Sequence, residues 1–244
     1  MEISFGDKRA LVTGAGKGIG RDLAKRLVEC GAETYALSRT KSDLESLKKE
    51  CPAIHTIQCD LANWDETDRA VKSCGDIDLL VNNAAVAELE SFLEITKDCI
   101  DKHFDINVKA MIHVSQIVAK GMVARGTGGS IVNVSSQASK AALWNHTVYS
   151  VSKAAVDQLT AMMGVELGPY KIRVNAVLPT VTNTAMALVG WSDPAKADPM
   201  KARIPLRKFA EVEDVTNVIL YLLSDKAAMI NATCIPVDGG YLAT

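Results

Sequence analysis

The sequence lacks several patterns that mark other classes of protein. Its 244 residues carry 27 lysines and arginines against 29 acids, a net charge of −2, so no basic excess points to nucleic acid. No segment reaches the roughly 18 apolar residues of a membrane span. The charged start MEISFGDKR does not have the apolar stretch of a secretory signal peptide. These absences favour a soluble cytoplasmic protein that has no transmembrane segment and does not bind nucleic acid.

Cysteine and histidine are present but show none of the spacings of a metal site. The six cysteines are scattered without any C-x-x-C pair, and the four histidines show no ligand spacing. We therefore expect reduced thiols and no bound metal.

Four of the glycines are concentrated in one octet, TGAGKGIG at residues 13–20, directly after the apolar run RALV. A P-loop needs Gly-Lys-Ser/Thr, which occurs nowhere in the chain, and the strict G-x-G-x-x-G spacing fails as well. What remains is T-G-x-x-x-G-x-G, with Gly14, Gly18 and Gly20 in the key places. Taken alone, this pattern fits either a glycine-rich turn or a pyrophosphate site at a helix N-terminus.

Short apolar runs alternate with helical patterns along the whole chain. The expected strands are 9–13, 33–38, 54–59, 77–82, 130–135, 172–177 and 232–237. The expected helices are 18–30, 41–50, 64–74, 96–120, 147–168 and 212–224. This alternation is typical of an α/β fold with a doubly wound, Rossmann-type parallel sheet, here seven-stranded, with helices on both faces. No linker or repeat divides residues 1–244, so we expect a single dinucleotide-binding catalytic domain.

One long stretch, about 178–210, carries four prolines and reads as irregular. Irregular segments of that length in compact domains are usually functional. We therefore expect a substrate lid here. Ligands of such sheets bind at the carboxyl ends of the strands, which places the glycine loop where a pyrophosphate would lie.

The second expected strand ends ALSRT and has no acid where an NAD-binding strand usually carries one for the ribose 2′-hydroxyl. Ser38 and Arg39 occupy that place, and an arginine fork suits a 2′-phosphate. Lys17 in the glycine loop supplies a second positive charge. The alternative is a pair of solvated surface cations. Because both residues fall where the fold puts that phosphate, we expect NADPH/NADP⁺ as the cofactor.

The most specific pattern is YSVSK at 149–153. Tyr149 and Lys153 are four residues apart at the start of an expected helix, so they share one face, and Ser136 closes the strand before them. A phenol has a pKa near 10, so an acid-base role at neutral pH requires a lower one. An ammonium about 4 Å away contributes on the order of 4 kcal/mol, or roughly three pKa units. The alternative is a pair of solvated surface residues.

Together these stretches resemble the short-chain dehydrogenase/reductase family, whose pattern is T-G-x-x-x-G-x-G, then N-N-A-G, then Asn, Ser and Y-x-x-x-K. The resemblance covers nearly the whole chain, since it includes NNAA at 82–85, IN at 106–107 and VDGG at 237–240. There are two departures. Ala85 and Thr180 stand where the family usually has glycine.

The resemblance implies roles for the site residues. Tyr149 would protonate a carbonyl oxygen, Ser136 would donate a hydrogen bond to it, and Lys153 would hold the nicotinamide ribose and lower the pKa of the tyrosine. Asn107 would be the fourth catalytic residue, anchoring a water that links the lysine to solvent. The implied cofactor contacts are Gly14, Lys17, Gly18, Ile19, Gly20, Ser38, Arg39, Thr40, Asp60, Leu61, Asn83, Ala84, Tyr149, Lys153 and Thr184.

The stretches IVNVSSQ and WSDP resemble the branch of the family that reduces L-xylulose to xylitol and also reduces α-dicarbonyl compounds. The expected activity is therefore NADPH-dependent reduction of small polar ketones. Substrate contacts are expected from Ser136, Gln137, His146, Asn183 and Trp191. The family also implies a homotetramer.

Other functions stay open at this point. A 3-oxoacyl-acyl-carrier-protein reductase would need a basic patch for its acidic carrier, which a solvated lid face explains as well. The cations available for it are Lys196, Lys201, Arg203, Arg207 and Lys208. An NADP-sensing binding protein on the same fold is a further alternative. A hydrolase has less support, because no G-x-S-x-G motif occurs.

Overall fold

All of the strands belong to one parallel sheet with the order β3-β2-β1-β4-β5-β6-β7. The computed structural model describes residues 2–244, apart from the side chains at positions 186, 188 and 189. The strands are β1 (Arg9–Thr13), β2 (Glu33–Ser38), β3 (His55–Gln58), β4 (Leu79–Asn82), β5 (Gly129–Val134), β6 (Ile172–Pro179) and β7 (Cys234–Val237). The predicted seven-stranded, doubly wound α/β fold is therefore confirmed. The strand order reverses between β1 and β4, where a ligand crevice is expected.

The helices connect the strands on both faces of the sheet. They are α1 (Gly18–Glu29), α2 (Lys41–Glu50), α3 (Trp64–Ser73), α4 (Lys97–Phe104), α5 (Ala110–Arg125), α6 (Thr147–Leu167), α7 (Ala185–Trp191), α8 (Pro194–Arg203) and α9 (Val212–Leu223). The helix predicted over 96–120 is interrupted by a π-helical turn, Asp105–Lys109, between α4 and α5. Such turns are frequent at functional sites, and sequence periodicity does not reveal them.

The segment 178–210 is not irregular as the prolines suggested, because it contains α7 and α8. Pro194 takes the first position of α8, where a missing N–H costs little. The side chains of Thr184 and Asp193 cap the two helices by accepting backbone N–H groups. Prolines therefore occur at the start of α8 (Pro194), inside it (Pro199) and just after its end (Pro205).

Each face of the sheet buries its own apolar layer. Val12 on β1 packs with Leu23 of α1 and Ile219 of α9 on one face. Leu11, the neighbouring residue, packs with Val114 of α5 on the other face. Because side chains alternate along a strand, a sheet covered on both faces needs apolar residues at nearly every position, and β1 reads RALVT.

A third, smaller apolar cluster holds the 178–210 segment in place. Met200 and Ile204, from the α8 region, are buried together with Phe209 and Tyr241, and Trp191 packs against them. The segment therefore has its own anchorage beside the carboxyl ends of the strands. Among the described residues, no helix has both the length and the apolar character needed to cross a membrane.

Candidate active site

The carboxyl ends of the strands open on one cavity of about 680 Å³. It is lined by most of the residues that the sequence singled out. They are Gly14, Lys17, Gly18, Ile19, Ser38, Arg39, Thr40, Asp60, Leu61, Asn83, Ala84, Ser136, Gln137, His146, Tyr149, Lys153, Thr184 and Trp191. Three of the predicted site residues, Gly20, Asn107 and Asn183, do not line it.

The glycine loop is pressed against the segment that follows β4. Gly14 has φ +66°, and a Cβ there would lie 2.7 Å from the Cα of Ala84. A Cβ on Gly20 would lie 2.4 Å from Nδ2 of Asn83. Thr13, which the sequence reading left without a role, closes this contact: its Oγ1 accepts the N–H groups of Asn83 at 3.0 Å and Ala84 at 3.2 Å. Gly20 is therefore required for close packing and does not contact the cavity.

The two cations expected to select NADPH differ in their surroundings. Arg39 is exposed, and its guanidinium forms no ion pair within the described residues. Lys17 is also exposed, but its Nζ lies 3.4 Å from Oδ2 of Asp43, a contact that the sequence reading missed. Thr40 precedes α2, and its hydroxyl makes no capping bond to that helix. An anionic group here would meet one cation without a partner, one shared cation and a helix N-terminus.

The three reactive side chains converge at the deep end of the cavity. Ser136 accepts the N–H of Ala138 with its Oγ at 3.1 Å, which leaves its own O–H to donate. Lys153 is 1% exposed, and its Nζ donates to the carbonyl oxygen of Val134 at 2.8 Å. The same Nζ lies 5.7 Å from the ring centroid of Tyr149.

Burial controls the protonation of this group. It raises the pKa of Tyr149, and the interaction with Ser136 lowers it. It also lowers the pKa of Lys153 to about 8, against the opposing charge of Asp157. Burial has the largest effect on the pKa of Tyr149, and the expectation that Lys153 lowers this pKa stays a prediction. The Nζ of Lys153 donates to a backbone carbonyl oxygen, and desolvation disfavours the charged form of both residues.

Asn107 supports the cavity wall from behind. It lies in the π-helical turn, and its amide accepts the N–H of Val86 at 2.8 Å and donates to Val86 O at 3.0 Å. It also donates to Oγ of Ser152, at 3.0 Å, between Tyr149 and Lys153. Its side chain therefore braces the segment after β4 against α6. The water-anchoring role implied by the resemblance stays a prediction.

His103 braces the same wall and was not identified from the sequence. Its Nε2 accepts the N–H of Glu88 at 3.1 Å, and its Nδ1 donates to the carbonyl oxygen of Cys99 at 2.8 Å. These two partners fix the neutral tautomer with the proton on Nδ1. A signal was present in the sequence, since His103 lies one helical turn before Asn107 and so shares its face.

Near the predicted substrate contacts, two buried side-chain oxygens have no hydrogen-bond partner among the described residues. Gln137 is 2% exposed, and neither its Oε1 nor the hydroxyl oxygen of Thr180 has a hydrogen-bond partner among the described residues. His146 donates from Nδ1 to the carbonyl oxygen of Trp144 at 2.5 Å, which leaves Nε2 as an acceptor. Trp191 supplies an aromatic wall, edge-on to Phe209 with 5.7 Å between ring centroids.

Asn183, the remaining predicted substrate contact, points elsewhere. Its Nδ2 donates to Oε1 of Glu211 at 2.7 Å in an exposed position, and its backbone N–H bonds to Ala210. This contact ties the 178–210 segment to the start of α9. The sequence places Asn183 in the 178–210 segment, but it does not reveal the direction of the side chain.

Known proteins match this chain along its length. A family model described as enoyl-(acyl carrier protein) reductase matches residues 14–242. The solved structure of a short-chain type dehydrogenase/reductase from Mycobacterium ulcerans is 32% identical with a TM-score of 0.95, and the match covers 99% of this chain and 92% of that chain. The chain belongs to the short-chain dehydrogenase/reductase family. It is therefore an oxidoreductase acting on CH–OH and carbonyl groups.

Within the family, reductases of ketoses and other carbonyl compounds are similar to this chain. L-xylulose reductase of Mus musculus is 57% identical over 244 residues, covering 100% of both chains. D-erythrulose reductase of Gallus gallus is 56% identical over 243 residues, covering 100% of this chain and 99% of that one. Carbonyl reductase (NADPH) 2 of Sus scrofa is 52% identical over 244 residues, with 100% of both covered. Among solved structures, a gluconate 5-dehydrogenase from Burkholderia cenocepacia in complex with NADP and tartrate is 27% identical with a TM-score of 0.93. The match covers 100% of this chain and 98% of that chain.

Replacing Tyr149 with phenylalanine tests the placement of the reactive group. We expect kcat to fall by about 10²- to 10⁴-fold, the usual contribution of a positioned general acid. NADPH binding, measured by fluorescence titration, should change little, because the phenol faces the reacting carbonyl. Tyr221→Phe, which removes a phenol on α9 away from the cavity, is the control. A Tyr149→Phe enzyme that keeps more than about a tenth of its kcat contradicts the assignment.

Proposed function

We propose that the protein is an NADPH-dependent carbonyl reductase that reduces small polar ketones, chiefly L-xylulose to xylitol, together with α-dicarbonyl compounds. One observation carries this proposal. Ser136, Tyr149 and Lys153 line the same cavity as Gln137 and Thr180, each of which has a side-chain oxygen with no hydrogen-bond partner among the described residues. Buried polar atoms are nearly always hydrogen-bonded, so the cavity is suited to a ligand that brings its own hydroxyl groups.

The residues present fit the cofactor. The glycine loop leads into the N-terminus of α1, which favours a pyrophosphate, and Arg39 and Lys17 offer positive charge at the far end of the cavity. When bound, NADPH supplies the hydride that reduces the carbonyl carbon. Lys153 uses one of its three donor protons on Val134, so two remain for the hydroxyls of the nicotinamide ribose.

The chemistry of this chain is the protonation of the carbonyl oxygen. Tyr149 donates its phenolic proton to that oxygen, and Ser136 donates a hydrogen bond that stabilises the charge developing there. The raised pKa of Tyr149 keeps the phenol protonated at neutral pH, the form that reduction requires. The ammonium of Lys153 stabilises the phenolate left after the transfer.

Two relatives support a ketose as the substrate. The L-xylulose reductase and the D-erythrulose reductase are both named for ketoses and match this chain over its full length. The segment 178–210 is the proposed lid, because Trp191 from α7 and Thr184 before it line the cavity. Leu143 and Val181 complete an apolar wall, which agrees with an α-dicarbonyl as a second substrate.

The acyl-carrier-protein reductase remains the second candidate. Its basic patch is weakened by local contacts of the lid cations. Lys201 lies 3.7 Å from Asp198, and the guanidinium of Arg203 lies 4.6 Å from the ring centroid of Tyr241. A solvated lid face therefore explains these cations better than a carrier-docking surface. Reduction of a long-chain 3-oxoacyl thioester faster than any ketose would favour this candidate.

We also infer a homotetramer located in the cytoplasm. Apolar side chains on α6 are exposed in the single chain, including Val151 (52%), Met162 (47%) and Val165 (69%). A second isologous contact through the C-terminal residues 237–244, as in the family, would combine with a helix contact to give D₂ symmetry. Sedimentation at micromolar concentration should give a tetramer, and a monomer would contradict this inference.

Replacing Arg39 with aspartate should move cofactor preference toward NADH. The substitution removes a charge-assisted contact worth about 1.5–3 kcal/mol, or roughly 10- to 150-fold in NADPH affinity, and places a carboxylate where the 2′-phosphate would lie. Initial rates with both cofactors measure the change. Lys49→Asp, on the last turn of α2 and away from the cavity lining, changes the net charge equally and is the control. Equal use of NADPH and NADH by the unmodified enzyme would contradict the role of Arg39.

Gln137→Leu and His146→Leu should raise the KM for L-xylulose more than the KM for diacetyl. Each variant removes a hydrogen bond worth ~1–2 kcal/mol to a hydroxyl, or roughly 5- to 30-fold, and diacetyl has no hydroxyl to lose. Asn183→Leu, whose side chain lies outside the cavity, is the control and should leave both KM values nearly unchanged. Equal effects of Gln137→Leu and His146→Leu on the two substrates would rule out the ketose assignment.

A further inference from the structure

Asp157 is a buried carboxylate to which the proposed reaction gives no role. It lies on α6, one turn after Lys153 and two turns after Tyr149, so the three side chains share one face of the helix. Its side chain is only 7% exposed. Burying a carboxylate is costly unless it is hydrogen-bonded or paired, so its partners indicate what it holds.

The hydroxyl and ammonium partners of its carboxylate come from the loop that carries Ser136, and the thiol of Cys234 on β7 also interacts with it. Oδ1 accepts the hydroxyl of Ser135 at 2.5 Å, and Oδ2 accepts the hydroxyl of Ser139 at 2.7 Å. Nζ of Lys140 lies 3.1 Å from Oδ2. These partners lie on both sides of Ser136 in the chain, so the carboxylate binds the loop both before and after the reactive serine.

The bonds that Ser136 makes within its own loop do not fix its position relative to α6, and its one side-chain interaction with that helix is with Tyr149, the other reactive group. Its Oγ accepts the N–H of Ala138, and its carbonyl oxygen accepts the hydroxyl of Ser139, so both bonds stay within the loop. The Ser135 hydroxyl also lies 3.1 Å from the carbonyl oxygen of Lys153. Apart from the interaction of Tyr149 with Ser136, the polar contacts from side chains of α6 to the loop pass through Ser135, Ser139 and Lys140, on either side of the serine.

We propose that Asp157 is a positioning residue that holds the Ser136 loop against the face of α6 that carries Tyr149 and Lys153. The inference rests on the proposed carbonyl reduction, because Ser136 and Tyr149 must meet at one oxygen atom. A displacement of about 1 Å between such groups can cost on the order of 100-fold in rate.

The charge of Asp157 gives the proposal a second, separable consequence. Burial lowers the pKa of Lys153 to about 8, and Asp157 opposes that shift. The other titratable groups nearby are Tyr149 on the same helix, Lys140 on the loop and Cys234 on β7, whose pKa burial raises to about 11. Removing the carboxylate charge lowers the pKa of Lys153 further, so the ammonium is lost at a lower pH.

The test compares Asp157→Asn with a matched control on the same helix. Thr160 is buried on α6 and accepts a hydrogen bond from Asn133 of β5 at 2.9 Å, so Thr160→Val also removes a buried tie between α6 and the sheet. It does not touch the Ser136 loop. Both variants should lower the melting temperature, which separates a general loss of stability from a loss of positioning.

We expect Asp157→Asn to lower kcat about 10- to 100-fold while KM and NADPH affinity change by less than about threefold. The alkaline limb of the pH profile of kcat/KM should move to lower pH. Asp157→Glu keeps the charge and should return that limb toward its original position. Thr160→Val should leave kcat and the pH profile unchanged.

Hydrogen exchange gives a readout that needs no substrate. The backbone amides of residues 136–141 should exchange faster in Asp157→Asn than in the unmodified protein. In Thr160→Val their exchange rates should be unchanged. If Asp157→Asn does not fold, Ser139→Ala removes one of the two hydroxyl contacts and should lower kcat without moving the alkaline limb. Unchanged kcat in both Ser135→Ala and Ser139→Ala, or loop exchange and kcat in Asp157→Asn equal to those of the control, would overturn the proposal.

The rates are measured with both L-xylulose and diacetyl. If the unmodified protein reduces diacetyl but does not reduce L-xylulose, the proposed substrate is wrong. In that case the Asp157 effect is measured with diacetyl. If neither carbonyl is reduced, the proposed function fails, and faster exchange of the loop amides in Asp157→Asn still decides whether Asp157 positions the loop.

Discussion

The close contact between the glycine loop and the segment after β4 is the constraint on which the rest of the site depends. No side chain beyond hydrogen fits at Gly14 or Gly20, because Ala84 and Asn83 occupy that space. The hydroxyl of Thr13 joins the two segments through the backbone of Asn83 and Ala84. Since β1 and β4 are neighbours at the point where the strand order reverses, this contact sets the floor of the cavity from which the other site residues are placed.

Buried polar side chains that do not react position those that do. Asn107 and His103 fix the segment after β4, through Val86 and Glu88. Asp157 grips the loop after β5. Each of these side chains bonds to a loop at the carboxyl end of a strand, so the reactive groups are held by contacts with helices. Such polar contacts are directional, and for that reason they can define a geometry that apolar packing alone would leave loose.

Much of the fold and of the cavity lining followed from the sequence, and the failures have physical causes. The alternation of strands and helices gave the strand positions, because a parallel sheet buried on both faces needs continuous apolar runs. The motifs gave most of the lining residues. The sequence could not show that Asn183 turns toward Glu211 or that Lys17 meets Asp43, since both contacts join residues distant in the chain. It also gave no sign of the helices in 178–210, because Pro194 and Pro199 suggest irregular structure, although Pro194 starts α8 and Pro199 lies inside it.

The protonation of the reactive pair is where tertiary structure outweighs local spacing most clearly. Helical spacing puts Lys153 on the same face as Tyr149 and suggests that its charge lowers the pKa of the phenol. Burial has the opposite effect on the phenol, because a low-dielectric interior disfavours phenolate and so raises the pKa of Tyr149. It also disfavours ammonium and so lowers the pKa of Lys153. The bond from Lys153 to Val134 and the charge of Asp157 favour the ammonium against that desolvation. A pair whose neutral phenol and charged amine both persist near neutral pH is suited to giving a proton to a carbonyl oxygen as the oxygen becomes negative, and the buried contacts beneath α6 maintain that state.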